Sequence, residues 1–420
     1  MSFNLLRNSR VFFTTAVGTS GSGLGVIGGT TSTPVAISKT NTREIQVLDG
    51  FGFNQNTTSE TVTLNETGAT PVRGQRSFNT QLDPVDFNMT TYIRPVETSV
   101  DGTSLVTAEE APLWNALFSS VAMNMNSATP VASAAWTNAA AGASPATCVV
   151  TNSNKHQLLR FGLIIIMDST CFLIDDCVLN TATIDFGIDA IASVQWSGQA
   201  KAIRRVNAPD IDDSNNDFQP KVGEADATTL ALFPGTTSTF LPKITTAVFL
   251  ANKLSVVELK SNIGGVAITS PATASTTYNL PLTGGNLTIS NNVSYLTPAV
   301  IGVVNQPATY FAGTRAISGS MTAYLRTGTT ETAGLLGKLL SDASTDVDPA
   351  FYIKIAIGGS SATDRVEIEM PAVVLTIPTI ATEQVISTTI NFTAQGKNGT
   401  SGAEYFDLTQ ANEINIKYFA

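Results

Sequence analysis

The chain has 420 residues, enough for about two or three domains with their own cores, and only 13% of them are charged, roughly half the usual share. Thr, Ser, Asn and Gly take the place of the missing charge. They are residues of strands and turns, and so thinly charged a surface is expected to be covered by neighbouring subunits. The net charge of −10 argues against capture of nucleic-acid phosphates or anionic lipid, and the longest apolar run, 163–167, is too short to cross a bilayer.

Along the chain, Arg7 and Arg10 precede Val11-Phe12-Phe13 in the manner of a signal sequence. Thr14 and Thr15 cut the run short, so synthesis and assembly in a cytoplasm are expected. Residues 18–33 form a Gly-rich stretch expected to be a loop. Within it Gly23-Leu24-Gly25-Val26-Ile27-Gly28 matches a dinucleotide-binding pattern, but Gly29 to Pro34 follow where a helix must begin, so a flexible loop is favoured. Residues 51–73 read as an extended arm able to reach a neighbour.

Met89-Thr90-Thr91-Tyr92-Ile93-Arg94 reads as a strand with Met89, Thr91 and Ile93 on one face. Leu113, Trp114, Leu117, Phe118 and Val121 then mark one face of a helix. Thr107 and Glu110 offer a capping box, with Pro112 placing the start one turn later. An Ala/Ser/Thr-rich loop at 127–147 precedes strands at 156–167 and 172–186, which flank an Asp168-Ser169-Thr170 turn. A closing strand at 191–200 carries Ser193-Val194-Gln195-Trp196-Ser197-Gly198-Gln199.

After an acidic, turn-rich stretch at 207–241 the order returns. Met321-Thr322-Ala323-Tyr324-Leu325-Arg326 repeats the first strand, and Leu335, Leu336, Leu339 and Leu340 repeat the helix stripe. Strands at 351–357 and 365–377 flank Gly358-Gly359. A closing strand at 389–395 places Phe392 and Gln395 where Trp196 and Gln199 stand. A C-terminal arm follows Lys397. The sequence therefore divides into a first β-rich unit at 1–206, a linker at 207–241, a second unit at 242–397 and an arm at 398–420. The fold class is mainly β, a β-rich α+β arrangement with one helix per unit.

The residues of chemistry do not converge. Cys148, Cys171 and Cys177 form no metal pattern and read as reduced thiols. His156, the one histidine, has no second ligand or nucleophile at a useful spacing. Asp175 and Asp176, adjacent in a strand, point to opposite faces and share no site. Asp210, Asp212, Asp213 and Asp217 lack the Gly and Glu of a calcium loop and read as solvated linker. Asn-x-Thr sequons at Asn56, Asn65 and Asn88 are expected by chance. No catalytic residue, cofactor or metal is expected, and the chain does not read as an enzyme.

Leu5-Leu6-Arg7-Asn8-Ser9-Arg10-Val11-Phe12 resembles the opening of the tail tube proteins of tequintavirus-type siphophages. So do Leu280-Pro281-Leu282-Thr283-Gly284-Gly285 and the run through Ile289-Ser290-Asn291-Asn292 to Tyr295-Leu296-Thr297-Pro298. The resemblance spans nearly the whole chain. It implies two tandem tube domains, each a β-sandwich or half-barrel with a flanking helix, in trimeric rings of pseudo-sixfold symmetry stacked into a hollow virion tube. The implied partners are other copies of the chain, a tape-measure protein in the lumen, and tail-tip or baseplate and tail-terminator proteins. DNA would pass through without specific binding, and no membrane is involved. The lumen is expected to be acidic or polar through Asp and Glu of the inner sheets.

Two departures stand out. The sequence ends at Ala420 without an appended immunoglobulin-like module, which removes the expectation of surface decoration, and a Gly-rich stretch is inserted after Val17. The rival readings are the inner tube of a contractile tail or secretion-type machine and a β-sandwich receptor- or carbohydrate-binding module. The latter needs an exposed aromatic cluster that Trp114, Trp136 and Trp196, far apart in sequence, do not suggest.

Overall fold

Strands dominate, as the Thr- and Val-rich composition requires. The computed structural model describes residues 9–19, 25–27, 29–30, 33–35, 37–62, 76–100, 103–127, 131–142, 144–151, 157–167, 170–212, 217–221, 241, 244, 248–261, 276–345, 351–359, 364–381, 386–396 and 412–420. The first half contains β1 (Ser9–Thr14), β2 (Thr42–Ile45), β3 (Gly52–Val62), β4 (Arg76–Tyr92), α1 (Ala111–Phe118), β5 (Ala146–Val149), β6 (Phe161–Met167), β7 (Thr170–Asp185), β8 (Ser193–Ala200) and β9 (Ala202–Asp212). The second half contains β10 (Val256–Ser261), β11 (Leu282–Ser290), β12 (Val293–Leu296), β13 (Thr309–Ala312), β14 (Ala316–Tyr324) and α2 (Thr332–Thr345). It finishes with β15 (Phe351–Ile357), β16 (Arg365–Leu375), β17 (Thr379–Ala381), β18 (Ser387–Ala394) and β19 (Asn415–Phe419).

One antiparallel sheet runs through both halves in the order β3-β4-β8-β7-β11-β14-β18-β16, with β17 carrying on along β18 beyond the end of β16. Behind it lie two shorter layers. In the first half β2, β1, β6, the opening half of β7 and β9 pair in turn; in the second, β10, β15, the opening half of β16 and β19 do so. β7 and β16 are thus each shared between two layers. Each changes partners at a bulge, between Phe161 and Leu163 of β6 and between Phe351 and Ile353 of β15. Asp176 sits at the first bulge with φ +59°, a left-handed conformation that Asp tolerates better than most residues.

The core lies between the layers. Every residue of α1 is buried, so this helix is the filling of the first half rather than a flank, as the sequence had suggested. It begins at Ala111, just ahead of Pro112, with Glu110 as the preceding residue, makes no side-chain cap, and ends before Val121; Thr107 belongs to the strand Thr103–Ala108. The Trp114 ring meets Trp196 edge-on at 4.7 Å, and its Nε1 donates to the Tyr418 hydroxyl at 2.7 Å. The longer α2 buries Leu335 and Leu339 and leaves Leu340 exposed, the amphipathic helix its stripe predicts.

Apart from β2, the pairing order of the first half recurs in the second, and registers give the alignment. Met89 pairs with Trp196, and Met321 with Ile390; Phe87 pairs with Gly198, and Gly319 with Phe392. Trp196 therefore corresponds to Ile390, two residues from the Phe392 that the aromatic-to-Gln spacing selected. A shift of two leaves every side chain on its face, which is why the alternation hid it.

Several segments expected to be loops carry structure. Val17–Thr19 pairs with Gly25–Ile27, burying Ile27; the other glycines of the dinucleotide-like pattern, Gly23 and Gly28, lie outside the described residues. In 127–147 Trp136 is buried beside Tyr418. The arm expected after Lys397 ends in β19, which pairs with β16 on one side and β5 on the other and so ties the two halves together. Strand β9 runs across the 206/207 boundary, and the hairpin it makes with Asp217–Lys221 occupies part of the expected linker. His156, the Asp168-Ser169 turn, Leu5 to Asn8, and 222–240 lie outside the described residues.

Candidate assembly site

Alternation along the continuous sheet gives it two unlike faces. On β8, Val194, Trp196 and Ala200 are buried, whereas Ser193, Gln195, Ser197 and Gln199 face away from the core. Registers carry that polar face across the strands in rows. One runs Asn88, Ser197, Thr181, Ser290, Ala316; the next runs Thr90, Gln195, Thr183, Thr288, Ser318, Thr393. Asn286, Ser320 and Asn391 form a third, continued by Asp185.

These groups satisfy one another across strands. Thr181 Oγ1 and Ser197 Oγ lie 2.6 Å apart, Thr183 Oγ1 and Thr288 Oγ1 3.3 Å, and Gln199 Nε2 donates to Asp86 Oδ1 at 3.2 Å. Asp185 is the charged residue of these rows, Asp86 stands beside Gln199 in the next, and no Lys or Arg occurs among them. Hydroxyls and carboxamides, more than carboxylates, carry the polarity of this face.

The lateral edges of the sheet remain open among the described residues, since β3 has β4 as its strand partner and β17 has β18. At the centre of the sheet the corresponding edges meet. There β7 pairs with β11 through Thr183↔Thr288, Ile184↔Leu287 and Asp185↔Asn286. By register, Thr379, Ile380 and Ala381 of β17 stand where Thr183, Ile184 and Asp185 stand. Gly52, Phe53 and Asn54 of β3 stand where Asn286, Leu287 and Thr288 stand. The chain thus holds one completed junction and the two halves of a second.

The ionisable groups of the interior are held by structural partners. Asp175 accepts from Ile27 N–H and both pairs with and accepts from Arg204, while Asp176 faces Arg160 at 3.4 Å, so the two acids do diverge. Burial pushes Asp176 up to about 6, partly opposed by Arg160 and Lys201. Burial likewise raises Glu110 to about 8, against the hydrogen bond from Tyr418. Cys171 is raised to about 12 by burial, and Cys148 and Cys177 are raised as well, so these thiols are inert. No metal-holding cluster occurs among the described residues.

The arginine that closes each copy of the M-T-x-Y-x-R pattern meets a glutamate just ahead of the helix. Arg94 pairs with Glu109 at 3.3 Å, and Arg326 with Glu331 at 3.6 Å. The sequence displayed the arginine twice, but neither glutamate partner stood out in it; the capping-box reading had picked Glu110, the neighbour of Glu109.

A continuous sheet with one sparsely charged polar face and two open, matching edges defines a subunit that builds a wall. The chain belongs to the phage tail tube protein family, whose sequence model matches residues 23–394. It is similar to tail tube protein pb6 of Escherichia phage T5, with 29% identity over 414 residues that cover 96% of this chain and 75% of the relative. It is a structural protein of a virion tail, and it assembles with itself into a tube.

Proposed function

We propose that three copies close into a ring by repeating the internal β7–β11 junction between chains. Strand β17 of one copy then pairs with β3 of the next as Thr379↔Asn54, Ile380↔Phe53 and Ala381↔Gly52. The correspondence of these edges with a junction the chain already makes is the observation that carries the reading. Closure leaves neither lateral edge of the continuous sheet open, which removes the hazard of uncontrolled pairing there. Two tandem tube domains, 1–206 and 242–397, joined by 207–241 and followed by an arm at 398–420, then give pseudo-sixfold symmetry from three chains.

Stacked front to back, such rings form the tube of a long, non-contractile siphophage tail. The polar rows line the lumen. DNA phosphates bind proteins chiefly through Lys and Arg that displace counterions, and rows without them give DNA nothing to hold. The tape-measure protein occupies this lumen during assembly, and tip or baseplate and terminator proteins cap the ends. A purely structural role is supported by the interior acids and thiols, which among the described residues are engaged or inert.

Two measurements test this. Imaging of frozen tubes is expected to give threefold rings with a pseudo-sixfold repeat. A Thr379→Cys/Asn54→Cys variant is expected to form covalent trimers when oxidised. Rings of six whole chains, or tubes whose cysteine pair does not cross-link, would sink the proposed closure.

A further inference from the structure

The two ends of the continuous sheet carry unlike apolar features. At one end the chain leaves β11 and runs up β12. Asn291 N–H donates to the Asn180 carbonyl and the Tyr295 hydroxyl to the Asp176 carbonyl, so β12 travels along β7 away from Asp185. The loop joining β12 to β13 then rests on the part of β4 beyond the end of β8: Asn305 N–H donates to Thr80 O and Leu82 N–H to Asn305 O. At its tip stand Val300, Ile301, Val303 and Val304, all exposed, with Ile301 at 102% of its reference area. Gly302 makes the turn with φ +94°. Water gains nothing from such a tip in a finished particle, and an isolated apolar tip of this kind marks a contact.

At the opposite end, where β7 finishes and β11 begins, a cavity of about 150 Å³ opens beside the 252–254 turn. Its walls are chiefly apolar, from Phe186, Ile188, Val257, Leu282, Met321 and Ile355. Phe249 and Leu254 stand exposed nearby in sequence. Apolar cavities of roughly this size accept a guest as large as benzene, and an isoleucine side chain is of that order.

We infer that the tip centred on Ile301 is a plug seated in this cavity of a second copy in the adjacent ring. The inference rests on the stacked-ring reading above. A molecule cannot plug its own cavity, because the seven residues of β11 from Gly284 to Ser290 alone span roughly 20 Å and β12 adds to that. Heterologous stacking demands two different, complementary surfaces at opposite ends of the ring, and these two lie at opposite strand ends. The other element that projects at the plug end, the β3–β4 hairpin, is chiefly polar through Thr57, Thr58, Ser59, Glu60, Ser77 and Asn79, with Val62 and Phe78 as its exposed apolar residues, and has no apolar cluster as dense as the one around Ile301.

The test uses the full chain with Ile301→Cys and Ile188→Cys. The native thiols are buried and do not compete. Oxidised tubes of the double variant are expected to yield a ladder of covalent multimers, absent from either single variant and from unassembled protein. Ile301→Ser, at a fully exposed position that folding does not need, is expected to leave rings intact and to raise the protein concentration needed for tube growth by about tenfold or more, the effect of leaving one isoleucine in water. Tubes of the double variant that give no ladder overturn the plug and leave the ring untouched, as does Ile301→Ser growing tubes at the wild-type threshold. Wild-type protein that makes tubes without rings of stacked subunits overturns the ring reading and the plug together.

Discussion

The two halves of the chain solve one packing problem with exchanged parts. In the first, Phe87 on β4 covers Gly198 on β8; in the second, Phe392 on β18 covers Gly319 on β14. A Cβ at Gly198 would overlap the Phe87 ring and the Val178 carbonyl, and one at Gly319 would overlap the Phe392 ring and the Asn286 carbonyl. Each pair needs one ring and one bare backbone, and it does not matter which strand supplies which. What the halves share is a filled volume at a cross-strand position, so their likeness is more visible in register than in residue identity.

That equivalence predicts matched losses. Phe87→Ala and Phe392→Ala are each expected to destabilise the unassembled chain by about 3–5 kcal/mol, since each removes a buried ring and uncovers a glycine backbone that has no side chain of its own. Chemical denaturation of the two variants side by side checks it. A large loss from one and a small loss from the other would break the equivalence.

A second comparison predicts unequal losses from the same motif. Arg94 and Glu109 are 3% and 5% exposed, whereas Arg326 and Glu331 are 61% and 20% exposed. Arg94 also donates to Gln46 Oε1 and to the Ile244 carbonyl, so removing it strands several buried acceptors at once. Arg94→Met is expected to cost about 3 kcal/mol. Arg326→Met, in a pair that water already screens, is expected to cost less than about 1 kcal/mol. Equal effects in a denaturant titration would mean that burial is not what separates the two copies.

Much of this was legible in the sequence, because it rests on local pattern. The hairpins, closing strands and doubled order follow from alternation and from turn residues, and Phe351–Ile357 has the bounds that pattern assigns it. The polar face was legible too, in Ser193-Val194-Gln195-Trp196-Ser197-Gly198-Gln199. The scarcity of charge on that face matches the exchange of charge for Thr, Ser and Asn in the composition.

What escaped depends on contacts distant along the chain. Trp136 looked like part of a small-residue loop until Tyr418 arrived beside it from the far end of the sequence. The change of partners along β7 is set by a single extra residue at Asp176, and no local pattern announces a bulge. The two-residue offset between Trp196 and Phe392 leaves alternation unchanged, so register alone reveals it.

The bulges themselves offer the finest contrast. Asp176 stands at the first; at the second, the register places Ala372 in the same position. The second half therefore makes the same change of partners with no buried charge. The Asp176 carboxyl is fully buried, faces Arg160 at 3.4 Å and has no hydrogen-bond donor of its own. Burial raises its pKa from 3.8 to about 6 despite Arg160 and Lys201, with Asp175 adding to the rise. A raised carboxyl means that the folded state holds the proton more tightly than the unfolded one. Its contribution to stability is then full below about pH 4, declines as pH rises through about 6, and is flat above. Asp176→Asn keeps the shape and tolerates the left-handed backbone, while removing the ionisation. It is expected to abolish this part of the pH dependence and to raise stability at pH 7 by about 1 kcal/mol, net of the lost attraction to Arg160. Thermal unfolding at pH 4, 5, 6 and 7 checks the sign. A variant that loses stability at pH 7 would show that the ion pair, rather than the cost of burying the carboxylate, dominates at this bulge, and the first half would then differ from the second by a bond that helps to hold it.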